Sequence, residues 1–339
     1  MRILIVKLSS LGDVIHTLPA IVDIKKNHPQ AQIDWVVEPA FASLLEGNAN
    51  IDRVIVCALR MWLKNRLDAS SRRMANAFLR ELRQTPYDLV IDLQGLSKSA
   101  LIARCAVLSP SGQRVAMANR TEGSSYEPLT RWLANRSYEL PQRVGAVERA
   151  RLLCAMALGY EVPQTLDFGM NTHQAHGSEH AFPSGEQMVK ASPPQVLLIH
   201  GTSRADKSWP MSHWVALSFR LLDAGMDVCV TYASESELDF VKALMQEVEG
   251  LTLWPQQSLG ALSKKMQGLT GAIGVDSGVS HLAVALDLVH VQIYNFPTHW
   301  RTGPFHNPHQ VSVFETPTPT VEQVWAHWLQ VLEKRQTLP

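Results

Sequence analysis

The sequence predicts an α/β fold made of two Rossmann-like domains facing across a cleft. Three observations carry this expectation. Short β-rich apolar runs alternate with segments of helical apolar period, the alternation occurs twice, and a polar stretch rich in His, Ser, Gly, Pro and Gln separates the two series. A length of 339 residues agrees, being too long for one ordinary core and too short for three.

The first series opens with Arg2-Ile-Leu-Ile-Val-Lys7, a strand's length, followed by Ser-Ser-Leu-Gly-Asp. Val14, Ile15, Leu18, Ile21, Val22 and Ile24 then recur at helical spacing. Further strands are expected at Ile33 to Val37, Arg53 to Cys57, Leu89 to Leu93 and Arg114 to Ala116, with helices at 71 to 84 and 96 to 107. The pattern dissolves near 162 to 195, ending in Ser192-Pro-Pro. A second series follows. Strands are expected at Val196 to His200, Asp227 to Thr231, Gly271 to Val275 and Val289 to Tyr294, and helices at Pro210 to Asp223, Ser236 to Glu247 and Ser280 to Leu286. Val321 to Lys334 forms a last helix with Val324, Trp325, Trp328, Leu329 and Leu332 on one stripe. The resulting division is a first domain over 1–165, a linker over 166–195, a second domain over 196–318, and a C-terminal helix over 319–339 packing back toward the first domain.

Composition excludes several classes. Hydrophobic residues make up 46% and charged residues 18%, so an ordered globular chain is expected rather than a disordered one. The N-terminal apolar run is too short for a secretory signal, and no stretch reaches the roughly 20 apolar residues that span a bilayer, so a cytoplasmic location is expected. Cys57, Cys105, Cys154 and Cys229 lie in apolar contexts without CxxC spacing and read as reduced core residues. The net charge is zero but uneven: residues 1 to 150 carry 20 Lys and Arg against 14 Asp and Glu, and the remainder is correspondingly acidic. A basic half suits an anionic partner, and it equally suits an ordinary solvated face.

Three segments could carry chemistry, each between a strand and a helix, where open α/β sheets bind ligands. In Ser9-Ser10-Leu11-Gly12-Asp13, Gly12 permits a close turn. Asp13 reads equally as a carboxylate presented to a ligand and as a helix N-cap. The segment matches neither GxGxxG nor GxxxxGK[ST], which argues against a dehydrogenase or a P-loop kinase. In His200-Gly-Thr-Ser-Arg-Ala-Asp-Lys207-Ser-Trp-Pro210, accessible backbone N–H groups and the Lys207 point charge suit a diphosphate, while Arg204 and Asp206 suit a solvated loop. In Gly274-Val-Asp276-Ser277-Gly278-Val-Ser-His281, Ser277 and Gly278 can meet phosphate at a helix N-terminus. His281 could also be a hydrogen-bonded core residue. The remaining histidines show no metal-ligand spacing.

Together these segments resemble the heptosyltransferase family of glycosyltransferases, glycosyltransferase family 9. The resemblance spans nearly the whole chain: KLSSLGDVIHTLPA, YDLVIDLQGLSKSA and AVERARLL in the first part, then HGTSRADKSWP, VDSGVSHLAVAL and YNFPTHWRTG. It implies a GT-B type fold with the acceptor on the first domain and a nucleotide sugar on the second. The implied reaction moves L-glycero-D-manno-heptose from ADP-heptose to a Kdo sugar on lipid A, with inversion, no metal and no cofactor beyond the donor. The Ser9-to-His16 and Asp92-to-Lys98 segments favour addition of the first heptose over a later one or another acceptor.

By the same resemblance Asp13 is the catalytic base and Lys207 assists the leaving group. Thr202, Ser203 and Lys207 belong to the diphosphate loop, Glu237 to the ribose site, and Asp276, Ser277, Gly278 and His281 to the segment holding sugar and phosphates. Ser10, Gly12, Arg60, Lys64, Arg66, Gln94, Lys98, Arg120 and Arg143 are candidate contacts to the anionic acceptor. A monomer working at the inner face of the inner membrane, without nucleic acid, is expected. Two departures stand out: Tyr232-Ala233-Ser234 replaces the Trp-Gly-type turn of many relatives, and the Asn295 to Arg301 loop lacks a Gly-Pro start.

Overall fold

The computed structural model describes residues 1–65, 68–170, 193–202, 204–304 and 306–337. Residues 171–192, most of the expected linker, lie outside the described residues, as do the candidate site residues Arg66 and Ser203. Two compact units are present: residues 1–169 together with Ser258–Ala261, and the rest of the chain.

The first unit runs β1 (Arg2–Val6), α1 (Leu11–Asn27), β2 (Gln32–Val37), α2 (Pro39–Leu45), β3 (Arg53–Val56), α3 (Leu59–Lys64) and α4 (Ala69–Leu82). It continues through β4 (Tyr87–Asp92), α5 (Ser97–Cys105), β5 (Leu108–Met117), α6 (Leu129–Leu133), β6 (Arg136–Tyr138) and α7 (Ala146–Leu158). Its six strands are all parallel in the order β3-β2-β1-β4-β5-β6. Helices cover such a sheet on both faces, so Ile3, Leu4, Ile5 and Val6 are fully buried despite alternating sides. That is why β1 reads as a continuous apolar run.

The second unit repeats the plan with β7 (Gln195–Ile199), a 3-10 turn at Ala205–Lys207, α8 (Met211–Asp223), β8 (Asp227–Val230), α9 (Glu235–Glu247) and β9 (Thr252–Leu253). Then come α10 (Leu259–Met266), β10 (Gly271–Val275), α11 (Gly278–Ala285), β11 (Val289–Tyr294), α12 (His299–Thr302), β12 (Gln310–Phe314) and α13 (Val321–Gln336). The parallel order is β12-β11-β10-β7-β8-β9. Strand order reverses between β1 and β4 in one sheet and between β7 and β10 in the other. Each reversal opens a crevice at the carboxyl ends of the strands, where Asp13, Lys207 and Asp276 follow.

In helix α13, Val324, Trp328 and Val331 are buried in the second unit's core with Val291, Val313 and Trp214, Trp325 and Leu332 pack against it part-buried, and Leu329, expected on the same stripe, is 47% exposed. Trp209 Nε1 donates to Pro319 O at 2.8 Å, fixing the approach to this helix. Once β11 and β12 present an uncovered apolar face, a helix with this stripe gains most by covering it. Of the cysteines, Cys57, Cys154 and Cys229 are buried and free, while Cys105 is half-buried. No helix among the described residues is long and apolar enough to cross a membrane.

Candidate active site

At the switch point of the first sheet, β1 is followed by Lys7, a residue only 3% exposed. Its Nζ donates to Leu93 O at 3.1 Å and lies 3.4 Å from Asp13 Oδ1. Arg149 reaches in from α7 and places Nη2 at 3.6 Å from the same oxygen. Asp13 Oδ2 accepts from Ser10 N and Ser10 Oγ, both at 3.3 Å. The N-cap of α1 is therefore Ser10, and Asp13 sits in the first turn, serving the helix start with one oxygen and facing two cations with the other. Burial alone would raise the Asp13 carboxyl, but Lys7, Arg149 and His16 reverse this and hold it well below the usual carboxylate range. Burial lowers the Lys7 ammonium, and the ion pair with Asp13 opposes that shift.

The turn after β4 braces this site. Asp92 accepts from Gln94 N at 3.0 Å, Gly95 N at 3.2 Å and Ser99 Oγ at 3.0 Å. Gly95 has φ of 76°, a left-handed conformation that favours glycine. Gln94, expected to touch the acceptor, uses Oε1 to accept from Leu8 N at 3.0 Å and Ser9 N at 3.2 Å. It ties the β4 turn to the loop that carries Asp13. Full burial raises the Asp92 carboxyl to about 6, since desolvation outweighs its hydrogen bonds.

The basic acceptor candidates divide. Arg60 and Lys98 both face Glu38, at 3.1 Å and 3.8 Å, which brings them together beside β2. Arg120 Nε donates to Ser124 O at 3.2 Å, and Arg143 lies 4.0 Å from Glu122. Lys64 is exposed at the end of α3. Gly12 lies in the first turn of α1.

In the second unit, Asp276 gathers the predicted residues. Lys207 Nζ donates to Asp276 Oδ2, His281 Nε2 lies 3.4 Å from Oδ1, and Thr202 Oγ1 is 3.5 Å from the backbone carbonyl oxygen. Burial would raise this carboxyl, but His281 and Lys207 keep it well below its ordinary value. His281 is itself buried, with Gln292 Nε2 at 3.4 Å from Nδ1. Ser277 is the N-cap of α11 and accepts from Ser280 N, so its hydroxyl serves the helix start. Gly278 is the first residue of α11, so the helix N-terminus with its backbone N–H groups lies directly after Asp276 and Ser277. Glu237 Oε2 accepts from Ala233 N at 2.7 Å, and the carboxylate lies so close to Gly201 that a Cβ there would fall 2.6 Å from Oε1. His200 stacks on Phe240 at 4.6 Å between ring centroids. Among the described residues, no group of three or more His, Cys, Asp or Glu side chains is arranged to hold a metal ion.

Sequence reasoning missed Lys7, Arg149 and Asp92 as site residues. One signal was present for Lys7: a lysine closing an otherwise wholly apolar, doubly covered strand requires a buried partner. Arg149 offered none, because its partner is 136 positions away.

The chain is similar over most of its length to known proteins. The model of glycosyltransferase family 9 (heptosyltransferase) matches residues 75–326. Lipopolysaccharide heptosyltransferase 1 of Pseudomonas aeruginosa is 35% identical over 297 residues, which cover 87% of this chain and 78% of that protein. The protein of the same name from Escherichia coli K12 is 36% identical over 296 residues, covering 87% and 88%. The structure of the E. coli heptosyltransferase WaaC with ADP matches with a TM-score of 0.82 and 32% identity, covering 98% of this chain and all of that one. Two parallel-sheet units with a carboxylate at one switch point and a Lys–Asp–His group at the other, on a sequence this similar over this length, place the chain in glycosyltransferase family 9, the heptosyltransferases.

Proposed function

We propose that this enzyme transfers L-glycero-D-manno-heptose from ADP-heptose to the Kdo sugar of Kdo2-lipid A, with inversion and without a metal ion. The carrying observation is the Asp13 carboxylate, ionised by Lys7 and Arg149 at the carboxyl end of β1, in a chain similar throughout to heptosyltransferases. An acceptor hydroxyl must lose its proton as it attacks, and a carboxylate within reach takes it. On the donor side, charge develops on the departing diphosphate. Lys207 and the N–H groups opening α11 are pre-aligned to meet that charge, in the role a divalent ion fills elsewhere. Asp276 orients Lys207 and is kept ionised by it, Glu237 beside Gly201 is the candidate for the ribose hydroxyls, and Thr202 adds a hydroxyl to the same loop.

The acceptor is anionic and membrane-borne, so docking on the bilayer surface belongs to the same reading. Helix α3 exposes Met61 at 41% and Leu63 at 64% beside Arg60 and Lys64, and α4 exposes Arg72, Arg73 and Met74. Such a mixed basic and apolar surface suits anionic lipid. Flotation with anionic vesicles should recover the protein, and zwitterionic vesicles should not.

The reaction is tested by incubating the purified protein with ADP-heptose and a deacylated Kdo-lipid A acceptor in EDTA, beside Asp13→Asn, and following ADP release and acceptor mass. Heptose addition by the wild type alone supports donor, acceptor, metal independence and base together. Donor binding without transfer directs the search to another acceptor.

A further inference from the structure

The loop that presents Lys207 has little of its own to hold it. Its 3-10 turn, Ala205–Lys207, is three residues long and is closed by Lys207 N donating to Arg204 O at 3.0 Å and Ser208 N to Ala205 O at 3.1 Å. So short a turn leaves the carbonyls around Lys207 to be met from outside.

Asn295, the residue after β11, meets two of them. Its Nδ2 donates to Ser208 O at 2.9 Å and to Asp206 O at 3.3 Å, the carbonyls on either side of Lys207. Its Oδ1 accepts from Thr318 Oγ1 at 2.7 Å. The opposite amide orientation would set its oxygen against two carbonyl oxygens, so both N–H bonds of Nδ2 are aimed at the loop. Phe296 adds a second tie. The Arg204 guanidinium lies over its ring, 5.8 Å from the centroid, and Arg204 Nε donates to Asp206 Oδ1 at 3.0 Å. Two neighbouring residues therefore grip the chain before and after Lys207, while Lys207 Nζ donates to Asp276. The Gly-Pro start that this loop lacks could supply neither the amide nor the ring. All of these residues lie in the second unit.

We infer that Asn295 is a positioning residue for Lys207: its amide holds the backbone on both sides of the lysine, so that the ammonium is in place before a diphosphate arrives. The inference rests on the donor-site reading above and deepens it. A lysine on a loose loop loses backbone and rotamer freedom when it binds an anion, and one whose backbone is already fixed has less to lose. Asp276 holds the ammonium end of the same side chain, so Lys207 is fixed at both ends. Asn295 then acts on the donor through Lys207 and not by a contact of its own.

The test is a double-mutant cycle on ADP binding, measured by calorimetry on the full chain: wild type, Asn295→Leu, Lys207→Met and the two combined. Asn295→Leu keeps the size of the side chain and removes its hydrogen bonds. Alone it should weaken ADP binding by about threefold to tenfold, the worth of one net hydrogen bond. In the Lys207→Met background the same change should weaken it by less than about twofold, because the lysine through which Asn295 acts is gone. A merely structural fault would carry into both backgrounds alike. Equal losses with and without Lys207, or no loss from Asn295→Leu where Lys207→Met binds weakly, overturn the inference and leave the donor-site reading standing. A Lys207→Met protein that binds ADP as the wild type does overturns both. If Asn295→Leu does not fold, Asn295→Gly takes its place in the cycle with the same expectations.

Discussion

Arg151 and Asp23 form a forked ion pair in the buried seam between α7 and α1, with Nε to Oδ2 at 2.6 Å and Nη2 to Oδ1 at 3.1 Å. The same Nη2 donates to the carbonyls of Pro163 and Thr165, at 2.7 Å and 2.9 Å, so the chain leaving α7 is fastened to the pair. This seam also carries Arg149 and Asp13. Arg151→Met strands the Asp23 charge and is expected to cost about 3 to 5 kcal/mol in urea unfolding. Adding Asp23→Leu should return part of that loss, because no buried charge is then left alone.

Asp13→Asn keeps a side-chain oxygen for Ser10 and removes the proton acceptor. Heptose transfer is expected to fall by about a hundredfold to ten-thousandfold, the range for a lost general base. ADP-heptose affinity by calorimetry should be unchanged, since the predicted donor residues lie on the other sheet. Equal loss of both would show that the carboxylate is structural.

Lys207→Met removes the charge that Asp276 orients. ADP-heptose affinity should weaken by about tenfold to a hundredfold, as for a lost charge-assisted hydrogen bond. Stability should fall as well, because the buried Asp276 carboxylate then keeps only His281 as a partner for its charge.

Gln94→Leu leaves the amides of Leu8 and Ser9 without their acceptor, at a cost of about 1 to 3 kcal/mol for each buried donor left unpaired. The expected kinetic result is a lower kcat with the same donor affinity, because the loop holding Asp13 loosens. A change confined to acceptor KM would instead make Gln94 a direct acceptor contact.

Asp92 gives stability a pH dependence of unusual sign. Its folded carboxyl, at about 6, lies above the ordinary 3.8, so its contribution is complete below 3.8 and is lost as pH rises through 6. The loss amounts to about 3 kcal/mol. Asn at this position can still accept from Gln94 and Gly95 and can donate to Ser99. The stability of the wild type minus that of Asp92→Asn should therefore decline between about pH 4 and pH 7. Asp13 has the opposite dependence, present above 3.8 and lost in acid, and it cancels in the difference.

Much of the molecule was legible in the chain alone. Both sheets were, because a strand buried on two faces must be apolar throughout, as in Ile3 to Val6 and Val196 to Ile199. The placement of the three candidate segments was too, because each is contiguous: Ser9 to Asp13, His200 to Lys207 and Asp276 to His281 each follow a strand, and their positions need only local order. Less was visible at the edges. Strand β12 alternates only briefly, and α7 was not read as a helix from its period.

The pairings were invisible. Lys7 with Asp13, Arg149 with Asp13, Gln94 with Ser9 and Arg151 with Asp23 all depend on which strands lie side by side and which helices share a seam. Composition and local period determined the fold class, the loops that matter and the chemistry available in them. Only the tertiary structure decided that Gln94 braces a loop, that α13 covers the second sheet, and that the Asp13 carboxylate is held by two cations. Local order is encoded within a few residues, whereas the field at a buried carboxylate is set by charges brought within 4 Å from elements more than a hundred positions apart.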